Sequence, residues 1–177
     1  MITSEQSAEI QISNTSLEDW DRIVQLFDGV IEHQGKSSYR VWESIDWDAL
    51  REDIEKQLHY KITVNGQISC IFNVQYSDPL LWGEKENNDA IYLHRIVIDL
   101  AFKGQKQFAK VLEWAKQDAL QRGLKFVRLD TWADNAKIID YYNSYGFIPV
   151  GHYQTSDSAE LPIQNRNLYG ILLEISL

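Results

Sequence analysis

The chain has 177 residues, 44% of them hydrophobic and 24% charged, with only 3 prolines, so it is long enough for a well-buried core and carries no signature of disorder. A net charge of −9 argues against a nucleic-acid partner and an anionic membrane surface, and favours a cationic or amine-bearing ligand as readily as it serves solubility. One cysteine excludes an intrachain disulfide, and neither a signal-like start nor a membrane-spanning apolar run is seen, so a cytoplasmic protein is expected.

Residues 8–13 alternate, with Ile10 and Ile12 on one face, and predict a first strand. Thr15 or Ser16 can then cap a helix whose inward stripe is Leu17, Trp20, Val24, Phe27 and Ile31, with Gly35 near its end. A second helix is predicted over 42–58, with Ile45, Trp47, Leu50, Ile54 and Leu58 inward and Glu43 or Asp46 near its start. Residues 60–64 and 67–75 alternate around Asn65-Gly66, the strongest short hairpin signal. Cys70, inside the apolar run 68–72, reads as a small core residue. Residues 78–88 are polar but hold Pro79, Leu80, Leu81 and Trp82, which predicts a loop with an apolar anchor and a candidate wall for a ligand site.

The stretch 93–112 organises the rest. Strict alternation places Leu93, Arg95 and Val97 on one strand face and His94, Ile96 and Ile98 on the other. The chain turns through Asp99-Leu100-Ala101 to Phe102-Lys103-Gly104. It leaves as a helix with Phe108, Val111, Leu112, Ala115 and Ala119 at helical spacing and Gly123 at its end. A strand that stops before a basic, glycine-containing turn and a helix start is a natural anion site. The first amides lack intrahelical partners, the helix dipole adds partial positive charge, and Lys103 and Lys106 add more. A pyrophosphate fits this pattern; an ordinary solvated connection reads the same way.

Residues 126–131 alternate again and should lie parallel beside the 93–98 strand, because a helix joins them. Asp134 or Asn135 caps a helix running to Tyr145. Residues 148–154 and 168–175 are two closing strands, candidate pairing edges for a homodimer, around a long loop. The expected fold is one α/β domain over 1–177, a mixed β-sheet flanked by helices in the order β-α-α-β-β-β-α-β-α-β-β.

This order, together with two motifs, resembles the GCN5-related N-acetyltransferase (GNAT) family. The first family motif is a strand ending in Val-x-Pro, two residues, then Arg-Gly-x-Gly-x-Gly or -Ala entering a helix. Here Ile98, Lys103 and Gly104 fit, while Leu100, Lys106 and Phe108 replace the proline and two small residues. The second is Asn-x-x-Ala-x-x-Leu/Phe-Tyr-x-x-x-Gly-Phe, matched in place by Asn135, Tyr142, Gly146 and Phe147.

The resemblance implies acetyl-coenzyme A as co-substrate and a primary amine of a small molecule or peptide as acceptor. It places the pyrophosphate on Lys103, Gly104, Gln105, Lys106, Gln107 and Phe108; the departure at Phe108 is read separately, as a ring turned under the helix into the core. Pantetheine would run along Ile96, Val97 and Ile98 as an added strand, with Asn135 and Tyr142 also at the cofactor. Tyr142 resembles the family's general acid for the leaving thiolate. A phenol with a pKa of about 10 stays protonated at neutral pH. The same spacing also fits an aromatic packing stripe.

His94 stands where many relatives carry a glutamate, so it is a candidate general base, with Glu84 and Glu86 acting through water as alternatives. His33, His59 and His152 show no metal-ligand spacing, and no metal is expected. Trp42, Trp47, Trp82 and Trp132 suit either an aromatic acceptor wall or the core. A coenzyme A-binding or protein-interaction module of the same fold, without turnover, is the alternative function.

Overall fold

Short alternating runs separated by turns build one seven-stranded sheet. The computed structural model describes residues 7–36, 45–161, 163 and 166–177. Its strands are β1 (Ile10–Asn14), β2 (His59–Val64), β3 (Gln67–Gln75), β4 (Ala90–Ile98), β5 (Phe126–Trp132), β6 (Ile148–Gln154) and β7 (Tyr169–Ser176). They stand in the order β1-β2-β3-β4-β5-β7-β6. The β4–β5 pair alone is parallel, as the intervening helix requires. Of the two closing strands, β6 is an edge and β7 is not: β7 lies between β5 and β6, so it offers no pairing edge.

Helices α1 (Trp20–Gln34), α2 (Trp47–Glu55) and the four-residue α3 (Pro79–Trp82) cover one face. Helices α4 (Gln107–Gln121) and α5 (Ala136–Asn143) cover the other. The expected element order holds, with α3 as an addition inside the 78–88 stretch. Among the described residues no helix is long and apolar enough to cross a membrane.

The hairpin turn is as its sequence dictates. Asn65 (φ 50) and Gly66 (φ 80) both take positive φ, which matches the twist of the flanking strands. Helix α4 also follows its pattern: Phe108, Val111, Leu112, Ala115 and Ala119 are all buried against the sheet. Each large side chain so buried contributes roughly 1.5–3 kcal/mol.

The first helix starts later than its apolar spacing predicts. Leu17 is 50% exposed in a 3-10 turn, Leu17–Asp19, where the Ser16 N–H donates to Asp19 Oδ2 at 2.9 Å. The buried stripe is therefore Ile23, Leu26 and Phe27, with Trp20 and Ile31 at its margins and Leu17 outside it. Helix α2 starts at Trp47 because Asp46 caps it, accepting from the Ala49 N–H at 3.0 Å. It ends before Gln57, which takes φ 59. Trp42 and Glu43 lie outside the described residues. Helix α5 stops two residues short of Tyr145.

Candidate active site

The site arises from an irregularity in β4. Parallel pairing with β5 runs from Ala90↔Phe126 to Leu93↔Leu129 and goes no further. Just beyond, the register with β3 passes from Asn73↔His94 to Ile71↔Val97, so Arg95 and Ile96 together face Phe72. This is a β-bulge, and Arg95 holds φ 47 within it. A bulge bends its strand, and here β4 leaves β5, opening a cavity of about 120 Å³. His94, Ile96, Asp130, Trp132, Tyr142 and Tyr153 are among the residues on its walls.

The bulge overturns the expected alternation. Leu93 shares the α4 face with Ile96 and Ile98, while Val97 packs with Ile71 against α1 and α2. His94 therefore does not share a face with Ile96 and Ile98. One extra residue switches every side chain beyond it.

His94 lies between two carboxylates. Its Nε2 is 3.3 Å from Asp78 Oδ2, and its Nδ1 is 3.6 Å from Asp130 Oδ1. Tyr153 donates its hydroxyl hydrogen to Asp130. Burial would lower the His94 pKa, but the Asp78 contact and the charges of Asp78 and Asp130 outweigh it and raise the value. Burial raises the Asp130 pKa against the opposing pull of His94.

Asp78 reaches the site because the 78–88 loop is tied down. Glu86 accepts from the Asp78 and Asn88 N–H groups, each at 2.7 Å, and Leu81 and Trp82 are buried beneath. Glu86 is thus a loop clamp and Glu84 is exposed; neither lines the cavity. Sequence reading missed Asp78, Asp130 and Tyr153.

Tyr142 belongs to the aromatic packing stripe and also reaches the cavity. Its ring packs edge-on against Phe108 and Phe147, at centroid distances of 5.2 and 6.0 Å, and the residue lines the cavity. Burial, then the nearby Asp130 carboxylate, pushes its pKa up, so the phenol keeps its proton at neutral pH.

At the start of α4, Gly104 takes φ 82, and a Cβ there would meet nothing within 4 Å. Conformation, not space, calls for glycine. The turn before it is held by Asp99, which accepts from the Ala101 N–H at 3.0 Å, in place of the rigidity a proline at Leu100 would give. Lys103, Gln105 and Lys106 are exposed. Gln107 turns inward, accepting from Ser69 Oγ at 2.8 Å, and Phe108 lies in the core, so these two offer only backbone amides to a ligand.

Lys106 holds a left-handed conformation, φ 56, at a position where glycine would be unstrained. Lys106→Gly is expected to raise stability by up to about 1 kcal/mol, read as a higher melting temperature. A lower melting temperature would show that the lysine makes a compensating contact.

Asn135 caps α5, its Oδ1 accepting from the Ile138 N–H at 3.1 Å. Of the tryptophans, Trp132 lines the cavity, Trp47 packs on Trp20 and Phe27, and Trp82 is 2% exposed beside Tyr92. Among the described residues no group of three or more His, Cys, Asp or Glu is placed to hold a metal ion.

Comparison with known proteins agrees with this architecture. The model of the acetyltransferase (GNAT) family matches residues 27–147, and the chain belongs to that family. The uncharacterized N-acetyltransferase YesJ of Bacillus subtilis (strain 168) is 35% identical over 79 residues, covering 42% of this chain and 41% of that protein. The match thus spans less than half of that relative.

A GNAT-family acetyltransferase of Listeria monocytogenes 4b F2365 superposes with a TM-score of 0.75 at 19% identity, covering 97% of this chain and 99% of that one. YncA of Salmonella typhimurium, solved with its cofactor acetyl-CoA, gives 0.64 at 15% identity, covering 95% and 94%. At these identities the structures establish a shared fold.

Proposed function

We propose that the protein transfers an acetyl group from acetyl-coenzyme A to a primary amine of a small molecule or peptide, by direct attack. The observation that carries this reading is the cavity where β4 leaves β5, with His94, Asp130 and Tyr142 on its walls. YesJ is named an N-acetyltransferase and the YncA structure holds acetyl-CoA, which supports the same donor here.

The residues fit that co-substrate. The amides of Lys103, Gly104, Gln105, Lys106, Gln107 and Phe108 would hold the pyrophosphate at the α4 N-terminus. Past Leu93, β4 has no β5 partner, so Ile96, Val97 and Ile98 can take pantetheine amides as an added strand. Asn135 is assigned to the same ligand. Acetyl-coenzyme A supplies an acyl group activated as a thioester.

The chain's own groups then move protons. His94 accepts the proton that the attacking amine must lose, and Asp78 and Asp130 stabilise the imidazolium so formed. Tyr142 holds a proton on its phenol oxygen for the leaving sulfur. The carboxylates also favour an ammonium-bearing acceptor entering the cavity.

The test is thiol release from acetyl-coenzyme A across a panel of amines, beside calorimetric coenzyme A binding. Binding with no turnover on any amine would mark a coenzyme A-binding module instead. Lys103→Glu sets an anion beside the pyrophosphate and is expected to weaken coenzyme A binding on the order of tenfold. Gly104→Val forces a β-branched residue into φ 82 and is expected to do the same. Wild-type affinity in both variants would remove the phosphate site from this loop.

A further inference from the structure

We infer that Asp53, on α2 and outside the cavity, is a positioning residue for acetyl transfer, acting through Arg95 to hold the β4 bulge in shape. The inference rests on the acetyltransferase reading above.

Arg95 holds φ 47 although it is neither glycine nor a small polar residue. Such a conformation is uncommon for a long side chain, and inside a strand its cost must be offset by the surroundings. The surroundings here are specific. The Arg95 guanidinium is buried and pairs through Nη2 with Asp53 Oδ2, the two side chains being 9% and 12% exposed. The other Asp53 oxygen, Oδ1, accepts from Gln75 Nε2 at 3.1 Å. One carboxylate therefore ties α2 to β3 and to the bulge of β4.

The bulge is what the cavity depends on. Arg95 and Ile96, the two residues facing Phe72, both line it. A bulge leaves backbone groups of the extra residue without ladder partners. An unpaired amide at this wall can donate to a thioester carbonyl placed in the gap, where charge builds on the oxygen during transfer. Asp53 is not among the residues lining the cavity. Its effect passes through the backbone conformation of residue 95.

Acetyl-coenzyme A carries that carbonyl and coenzyme A does not, which gives a binding readout separate from turnover. The experiment measures calorimetric affinity for both ligands, with kcat and melting temperature, in wild type, Asp53→Asn and the double variant Asp53→Asn/Arg95→Gly.

Wild type is expected to prefer acetyl-coenzyme A. Asp53→Asn is expected to keep its coenzyme A affinity, lose roughly 2- to 10-fold of that preference, and fall in kcat by roughly 10²-fold. The double variant is expected to regain both, because glycine holds positive φ without an anchor.

An Asp53→Asn protein that keeps the full preference and kcat overturns the inference alone. So does a parallel loss of both ligands that the double variant fails to repair, which makes the pair merely structural. A wild type that binds neither ligand removes the acetyltransferase reading, and this inference with it.

Discussion

Tyr142→Phe is expected to lower kcat by about 10²–10⁴-fold, the usual worth of general acid assistance, while coenzyme A affinity changes little. The substitution removes one hydroxyl and keeps the ring. Packing against Phe108 and Phe147 is then preserved, and the melting temperature should move only slightly. Burial and the Asp130 charge hold the phenol pKa above its ordinary value, so wild type keeps the proton throughout the neutral range.

The acid role therefore predicts a uniform loss of rate near neutrality, with the difference narrowing only in strong alkali, where the wild-type phenol ionises. Single-turnover kinetics place the loss on the chemical step. An unchanged single-turnover rate would leave Tyr142 as a packing residue of α5 that lies beside the cavity.

What could be read from sequence depended on regularity. The apolar stripe of helix α4 was legible, because one uninterrupted amphipathic face met one sheet face. The Asn65-Gly66 hairpin and the parallel β4–β5 pair were legible because two-residue turns and helical crossovers leave little choice. His94 was found as a candidate from its place in the family pattern, but its face was read wrongly. Alternation was carried through Arg95 as if the strand were unbroken, and no local signal marks that arginine as the seat of a bulge.

Asp78 and Tyr153 were out of reach for a different reason. One arrives on a loop and the other on β6, and only tertiary packing brings them to His94 and Asp130. Asp130 left a weak trace, as a carboxylate near the end of β5, where diverging parallel strands make a crevice. The four tryptophans show the limit of composition: their number raised an aromatic wall as an option, yet Trp82 went to the core and Trp47 packs half-buried against it.

His94→Gln is expected to cost about 10²–10⁴-fold in kcat and to abolish a pattern in which activity and stability respond oppositely to pH. The folded-state pKa of His94 is raised, since Asp78 and Asp130 favour the imidazolium more than burial opposes it. Its stabilising contribution is therefore fully present below the unfolded value of about 6.5 and is lost as pH rises through the higher folded value.

The base role proposed for His94 needs the neutral ring, so kcat should climb across that same interval. Wild type should thus gain activity while losing the His94 share of its stability. Glutamine cannot titrate, so the variant should lose the ascending limb of kcat and that part of the pH dependence of its melting temperature together. A variant that keeps the wild-type ascending limb would put the titrating group elsewhere. Asp130 would be the first candidate, because burial raises its pKa and it lines the same cavity. Asp130→Asn, which leaves His94 with Asp78 alone, would then abolish the limb that His94→Gln had spared.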